Sequence, residues 1–405
     1  MKRIKLLILL ILVMLGGTSC NNSSSDIQTD RTDERQQSIQ EAEQDFYQES
    51  RKIAECYRDM YEQAKSDDTL ETLETVRNIV ECIGAAGYTV VDADNQIDMV
   101  NGNKLMDFIK AVDGRKEAEL TLICVVTNGG FIRFDFQTSE GSVHITRSYL
   151  TWNEKTPQIN SKEEYDAYTW KYSEDGYLFF EKHHMPGYDG PSGHTAVRVQ
   201  PLDKKCRELN RQYILPVSYE LNNMFILNWS EEDFNDLDFN DIFAMLYPKV
   251  YNVPLPYMPD DNLGVGAIYH IPKEEFEKVI MLRFKIDSET LQSKTKYFEQ
   301  DQNYEYRPRG LYDCEPPSYP FPEVVSYVEN QDGTITLTVH AVYPDYNLSK
   351  VYAHKVIIRP LVNGNFQYVS NHIIPSENNY EESWRVDRLT EEEWEEVYGG
   401  TGVTK

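Results

Sequence analysis

The chain has 405 residues, a formal net charge of −27 at pH 7 and 40% hydrophobic residues. That length exceeds one ordinary hydrophobic core, so two or three domains are expected. A surface this acidic is repelled by nucleic acid and by anionic lipid head groups, which excludes a nucleic-acid partner, and it keeps a protein soluble.

The chain opens on Lys2, Arg3 and Lys5, followed by an uncharged apolar run from Leu6 to Leu15 and then Gly16, Gly17, Thr18, Ser19 and Cys20. This is the layout of a bacterial export signal over 1–19. As a helix the apolar run reaches roughly 15 Å, half a bilayer core, too short for a permanent span. The small residues before Cys20 resemble a lipobox, the cleavage signal of bacterial lipoproteins. The resemblance implies lipidation of Cys20 and a protein held at the extracytoplasmic face of the cell membrane. Gly17 stands where that pattern has Leu, and Gly17 and Ser19 also suit ordinary secretory cleavage.

Residues 20–32 are almost wholly polar and read as a disordered tether. From there Ile39, Ala42, Phe46, Ile53, Tyr57, Met60 and Ala64 recur at helical spacing, which predicts one long amphipathic helix. Ser66-Asp67-Asp68 ends it, and Asp68 with Glu71 has capping-box spacing for a second helix carrying Leu73, Val76, Val80 and Ile83, stopped by Gly84 or Gly87. The two form an αα-hairpin, with Cys56 and Cys82 on its arms as packed thiols or a disulfide.

A short strand at 88–91 and a helix at 104–112 come next. Strands are expected at 119–127, 130–137 and 142–151 and, after a polar loop, at 168–173 and 177–183, with Asn128-Gly129, Glu140-Gly141 and Asp175-Gly176 as turns. An antiparallel meander packed on the N-terminal helices is the simplest arrangement. Residues 195–199 are strand-like, 203–213 read as a capped helix, and 230–247 as a helix with Ser230 and Asp233 at capping-box spacing.

Prolines at 248, 254, 256 and 259 mark a domain boundary. The first domain is thus 33–250, the second 260–385, and 386–405 an acidic tail with a helical turn over 390–398. The second domain should hold helices over 273–284 and 288–298, then strands at 304–307, 323–329, 333–343, 350–360 and 366–374. The fold class is therefore α+β: a helical hairpin with a meander, then two helices on a curved antiparallel sheet, a layout similar to NTF2-like or cystatin-like domains. Such sheets can enclose a small-ligand cavity, but the apolar pattern of 334–343 favours a filled core.

The stretches NNMFILNWSEEDF, YEYRPRGLYDCEPPSYPFPEVV, DGTITLTVHAVYP and LTEEEWEEVYG resemble an uncharacterised family of lipoproteins from Gram-positive gut bacteria, a domain of unknown function. The resemblance covers most of the chain after residue 35. It supports the anchor and implies no activity and no site residues.

Three groups carry ligand-type side chains. His183, His184, Asp189 and His194 crowd into one loop in a spacing that matches no zinc pattern, so a solvated loop is expected. Asp92, Asp94 and Asp98, and Asp233, Asp236, Asp238 and Asp241, lack the Gly and Glu of a calcium loop and read as helix caps and exposed faces. His340, His354 and His372 lie on successive strands, but a two-residue turn at Asn363-Gly364 would place His372 on the face opposite His354. No GxSxG, HExxH, GxxxxGK[ST] or GxGxxG occurs. Beyond Cys20 no residue is therefore assigned to catalysis, a cofactor or a metal. Cys56, Cys82, Cys124, Cys206 and Cys314 form no regular disulfide framework, and Cys124, inside LTLICVV, reads as a buried small hydrophobe. The expected function is a membrane-anchored envelope or ligand-binding module without catalysis, its ligand a small molecule, glycan or protein. The alternative is a secreted hydrolase, acting for example on glycans, whose paired carboxylates have no linear signature.

Overall fold

The structure, a computed structural model, describes residues 43–188, 192–314, 318–375, 385–399 and 403–404. The expected export signal, the tether and Cys20 lie outside the described residues. The chain divides into two compact units between Glu55 and Cys56. Of the first, residues 43–55 are described and form helix α1.

The second unit begins with a turn at Cys56 and Tyr57, so the long helix expected from the sequence is interrupted there. Tyr57 leaves helical geometry at φ −122° and buries its ring, and its hydroxyl donates to the Gly129 carbonyl at 3.1 Å. Helix α2 (Arg58–Ser66) and helix α3 (Leu73–Ala85) are the arms of the hairpin. The cap of α3 is Thr72, whose side chain accepts from the Thr75 N–H, and not Asp68. Asp68 instead takes the left-handed conformation at φ 56°, a geometry that closes a helix rather than opening one.

Strand β1 (Thr89–Asp92), helix α4 (Gly102–Asp113) and strand β2 (Ala118–Val125) form a βαβ unit, with β1 parallel to β2. The meander expected as wholly antiparallel thus has a parallel edge, because a helical crossover returns the chain to the same end of the sheet. Strands β3 (Phe131–Ser139), β4 (Ser142–Asn153) and β5 (Thr156–Asp166) complete it in the order β1-β2-β3-β4-β5. Strand β5 occupies the stretch expected as a polar loop. It is an edge strand with most residues exposed, so no apolar alternation marks it.

A second sheet follows: β6 (Thr169–Tyr172), β7 (Tyr177–Glu181) and β8 (His194–Arg198). Four consecutive residues of β7, Tyr177 to Phe180, are fully buried. Leu178 and Phe180 enter the core of the first sheet, with Phe134, Phe136 and Phe108. Tyr177 and Phe179 face the other way, against Val342.

Helix α5 (Lys204–Leu209), capped by Asp203, runs into a π-turn over Asn210–Ile214. After the short strand β9 (Trp229–Ser230) comes helix α6 (Phe239–Tyr251), capped by Asp238. The helix expected from Ser230 therefore starts later, since Ser230 and Asp233 bond each other's backbone in a tight turn. Strand β10 (Ala267–Pro272), helix α7 (Lys273–Met281), helix α8 (Ser288–Ser293) and strands β11 (Tyr297–Phe298) and β12 (Asn303–Tyr306) follow.

Strands β13 (Phe321–Glu329), β14 (Ile335–Tyr343), β15 (Leu348–Pro360) and β16 (Phe366–Ile374) are an antiparallel sheet with β9 added at the β16 edge. One core covers its inner face: Leu337, Val339 and Val356 pack with Ile242 and Phe243 of α6 and Phe276 and Val279 of α7. Phe243 stacks on Phe276 at 4.7 Å, so residues before and after the prolines at 248–259 share this core. The tail carries helix α9 (Glu391–Tyr398), started by a reciprocal capping box between Thr390 and Glu393, and it buries Trp394 and Tyr398. Strand β17 (Val403–Thr404) pairs parallel with β10 in a fourth sheet, ordered β11-β12-β10-β17. The chain is thus of the α+β class, with several antiparallel sheets and, among the described residues, no closed barrel.

Candidate functional site

Helix α6 begins against a buried cluster of charges. Asp238, at its N-cap, accepts the N–H groups of Asn240 at 2.9 Å and Asp241 at 3.0 Å. Its own N–H donates to Asn223 Oδ1 at 3.0 Å, which fixes where the helix starts. Asp241 follows in the first turn, where backbone N–H dipoles favour a negative charge.

Two arginines from distant segments meet these acids. Arg309 grips Asp241 with Nε at 3.1 Å and Nη2 at 2.7 Å, and its Nη1 donates to the carbonyls of Asp313 and Val386. Arg388 donates through Nε to Asp238 at 3.0 Å, through Nη2 to Asp241 and through Nη1 to the Arg307 carbonyl. Two negative and two positive charges therefore balance. Burial pushes the Asp241 carboxyl up, but Arg388 and Arg309 outweigh it and hold the group below the usual carboxylate range. Asp238 goes the other way: burial and then the charge of Asp241 raise it, against the pull of Arg388. Arg388 is held above its ordinary value because Asp241 and Asp238 outweigh the effect of burial.

Asp241, Arg309 and Arg388 of this cluster floor a cavity of about 840 Å³. Its walls are largely apolar: Leu215, Val217, Ala244, Met245, Leu255 and Tyr306 are among them. Tyr257 donates to Glu275 at 2.9 Å, and burial followed by that carboxylate raises its phenol above the ordinary range. Leu221, Met258 and Leu263 are exposed at the rim. An apolar pocket of this volume with a few convergent polar groups has the size and character of a small-molecule site. A guanidinium has five N–H donors, and Arg309 and Arg388 each direct most of theirs to these carboxylates and carbonyls, which leaves few for a ligand group reaching the floor.

A family model described as a family of unknown function, DUF6070, matches residues 43–388. The chain belongs to this family. No curated protein and no solved structure matches it. The DUF6070 match includes every residue named for the cavity and ends on Arg388, the last member of its floor.

Of the residues singled out in the sequence of this DUF6070 chain, Asp241 and Cys314 line the cavity and Asp238 adjoins its floor; the other described ones lie elsewhere. Cys20 and Asp189 are outside the described residues. His183 packs on Tyr168 at 4.6 Å, His184 stacks on Tyr188 at 4.0 Å, and His194 Nε2 lies 3.6 Å from Glu181. The three imidazoles thus have separate partners. His184 and His194 line a second cavity of about 610 Å³, in which Arg147 and Lys182 both pair with Glu163. Asp92 accepts the N–H groups of Gln96 and Ile97, and Asp98 accepts from Arg207. Among the described residues, no group of three or more His, Cys, Asp or Glu is arranged to hold a metal ion.

The strand histidines are also separated. His340 sits opposite Ala353 rather than His354, after an irregularity between Ala341 and Tyr343. His372 sits opposite Lys355, on the other face from His354. The expected placement of His372 holds, but for a different reason. The connection is a short 3-10 turn over Val362–Gly364, with Pro360 opposite Phe366, and the slip comes from a bulge between Ile357 and Ile358. His354 is fully buried, bonded to Asn371 at 2.6 Å and Tyr219 at 2.9 Å.

Sequence reasoning missed Arg309 and Arg388. Arg388 lies in a stretch read as an acidic tail with a helical turn over 390–398. The available signal was the apolar Trp394 and Tyr398 behind it, at helical spacing, which such a tail has no use for.

Proposed function

We propose that this protein is an exported, lipid-anchored binding module, a lipoprotein of Gram-positive gut bacteria held at the membrane through Cys20. Its cavity takes a small, largely apolar molecule with one polar end. The binding reading is carried by the apolar cavity of about 840 Å³ whose floor charges, Asp241, Arg309 and Arg388, are engaged with one another and, through Arg388, with Asp238. A hydrolase using paired carboxylates needs one acid and one base free to exchange protons. Here Arg388 bridges Asp238 and Asp241. That favours binding over the alternative of glycan hydrolysis. The described residues contain no helix long and apolar enough to cross a membrane. The anchoring reading rests on the resemblance of the residues before Cys20 to a lipobox.

Titration with a fluorescent naphthalene sulfonate tests the cavity. Saturable one-to-one binding is expected, weakened at least tenfold by Ala244→Trp, which fills the wall, and unchanged by His144→Gln on the distant meander. Equal binding by parent and Ala244→Trp rejects the site. For the anchor, Cys20→Ala should release the protein from the membrane fraction or stall its processing. Unchanged fractionation and unchanged mobility reject lipidation.

A further inference from the structure

Cys56 and Cys82 come from the turn before α2 and from α3, and their sulfurs stand 3.4 Å apart. The Cys82 thiol also lies 2.9 Å from the Cys56 carbonyl oxygen. Both cysteines are reduced here; Cys56 is exposed and Cys82 half-exposed, so a small oxidant can reach them.

The backbone on each side is held by neighbours. Next to Cys56, Tyr57 is buried and donates to the Gly129 carbonyl, which also accepts from Trp152 Nε1 at 3.0 Å. Next to Cys82, Ile83 is fully buried, as is Ile79 one turn earlier. Neither thiol can drift far from the other without uprooting those side chains. A disulfide needs the sulfurs about 1.4 Å closer than they stand, a distance that side-chain rotation covers.

We propose that Cys56 and Cys82 are a disulfide site, closing when the chain meets a disulfide oxidant and fastening the start of α2 to α3. The Cys56 thiolate attacks one sulfur of the oxidant, forming a mixed disulfide and expelling the first thiolate. The Cys82 thiolate then attacks the Cys56 sulfur and expels the second. Two electrons pass to the oxidant, and the two protons lost by the cysteines leave with its two thiols. Partial burial of its sulfur and the adjoining Cys82 thiol raise the Cys56 thiol above its ordinary value, so the attacking thiolate is scarce near neutrality. Closure is therefore slow with small disulfides at pH 7 and faster with a dedicated oxidoreductase or at higher pH.

The full chain, prepared reduced, is incubated with oxidised glutathione at pH 8.5, quenched with a maleimide and mapped by mass spectrometry. The expected product is a Cys56–Cys82 linked peptide with both residues protected from alkylation. Cys82→Ser should instead trap glutathione on Cys56. The oxidised parent should melt several degrees above its reduced form, and that difference should vanish in Cys56→Ser, whose substitution lies at an exposed turn. The proposal is overturned if both thiols stay alkylatable, if glutathione persists on Cys56 of the parent, or if the linked peptides join other cysteines.

Discussion

The Tyr177 hydroxyl donates to Glu323 Oε1 at 2.8 Å, across 146 positions of sequence. The same carboxylate pairs with Arg198 at 3.0 Å, and all three side chains are buried. Tyr177 lies on β7, whose alternate residues serve two cores, and Glu323 on β13 of the C-terminal sheet. Burial raises the Glu323 carboxyl, with Arg198 and Tyr177 pulling against it. The triad pins the seam between the two cores.

Glu323→Ala should therefore destabilise the protein by about 3–5 kcal/mol, because it strands a buried guanidinium. Tyr177→Phe removes one hydrogen bond and should cost about 1–2 kcal/mol. Urea unfolding of the two variants checks the order; equal losses would mean that Arg198 finds another partner.

Arg388→Ala should cost about 3–5 kcal/mol, since Asp238 and Asp241 would keep only Arg309 between them. Arg388→Lys should recover only part of this, because an ammonium cannot span both carboxylates as the planar fork does. Full recovery by Lys in chemical denaturation would show that charge alone, without geometry, holds the floor.

His354 should remain neutral far below the usual histidine range. Burial is the main cause and moves it down to about 3, while half-buried His340 moves to about 4. In each case the unfolded chain binds a proton near pH 6.5 that the folded chain refuses. Their contribution to stability is thus complete above pH 6.5 and shrinks as pH falls towards the folded values. For His354 the slope approaches about 1.4 kcal/mol per pH unit. Carbon-13 labelled histidine NMR from pH 8 to 5 should show two resonances, assigned to His354 and His340 by substitution, with the His354 signal not titrating and the His340 signal only beginning to shift at the acid end. A midpoint near 6.5 for the His354 resonance would mean that its ring is accessible to water.

Leu337→Asp should unfold the C-terminal core, since it places a charge among Val339, Val356 and Phe276 at several kcal/mol. His340→Ala, on the opposite face, should cost about 1 kcal/mol or less. If thermal melts ranked them the other way, the buried face of β14 would be misassigned.

Strand β14 was legible because its inner face is apolar and its outer face mostly polar, so Ile335, Leu337, Val339 and Ala341 alternate with Thr336, Thr338 and His340. Strand β5 was illegible for the converse reason: an edge strand wet on both sides carries no period-two signal. The run Tyr177–Phe180 announced a strand, but an unbroken apolar stretch does not say which residues serve which core. Histidine alignment across β14, β15 and β16 depends on bulges, which shift pairing by one without any marker in composition. The cavity floor was beyond local reading because Asp241 meets Arg309 at 68 positions and Arg388 at 147 positions of separation. Only tertiary packing makes such distant charges neighbours.

That last separation ties the cavity to the timetable of synthesis. Asp241 leaves the ribosome 147 residues ahead of the arginine that completes its charge balance. Until Arg388 arrives, the start of α6 holds two acids against one cation, and the pocket has no finished floor. A chain clipped between the end of β16 and Arg388 keeps the residues of its larger apolar core yet carries an uncompensated buried charge. It would be loose where a finished molecule is tight, so proteases could tell an incomplete copy from a complete one.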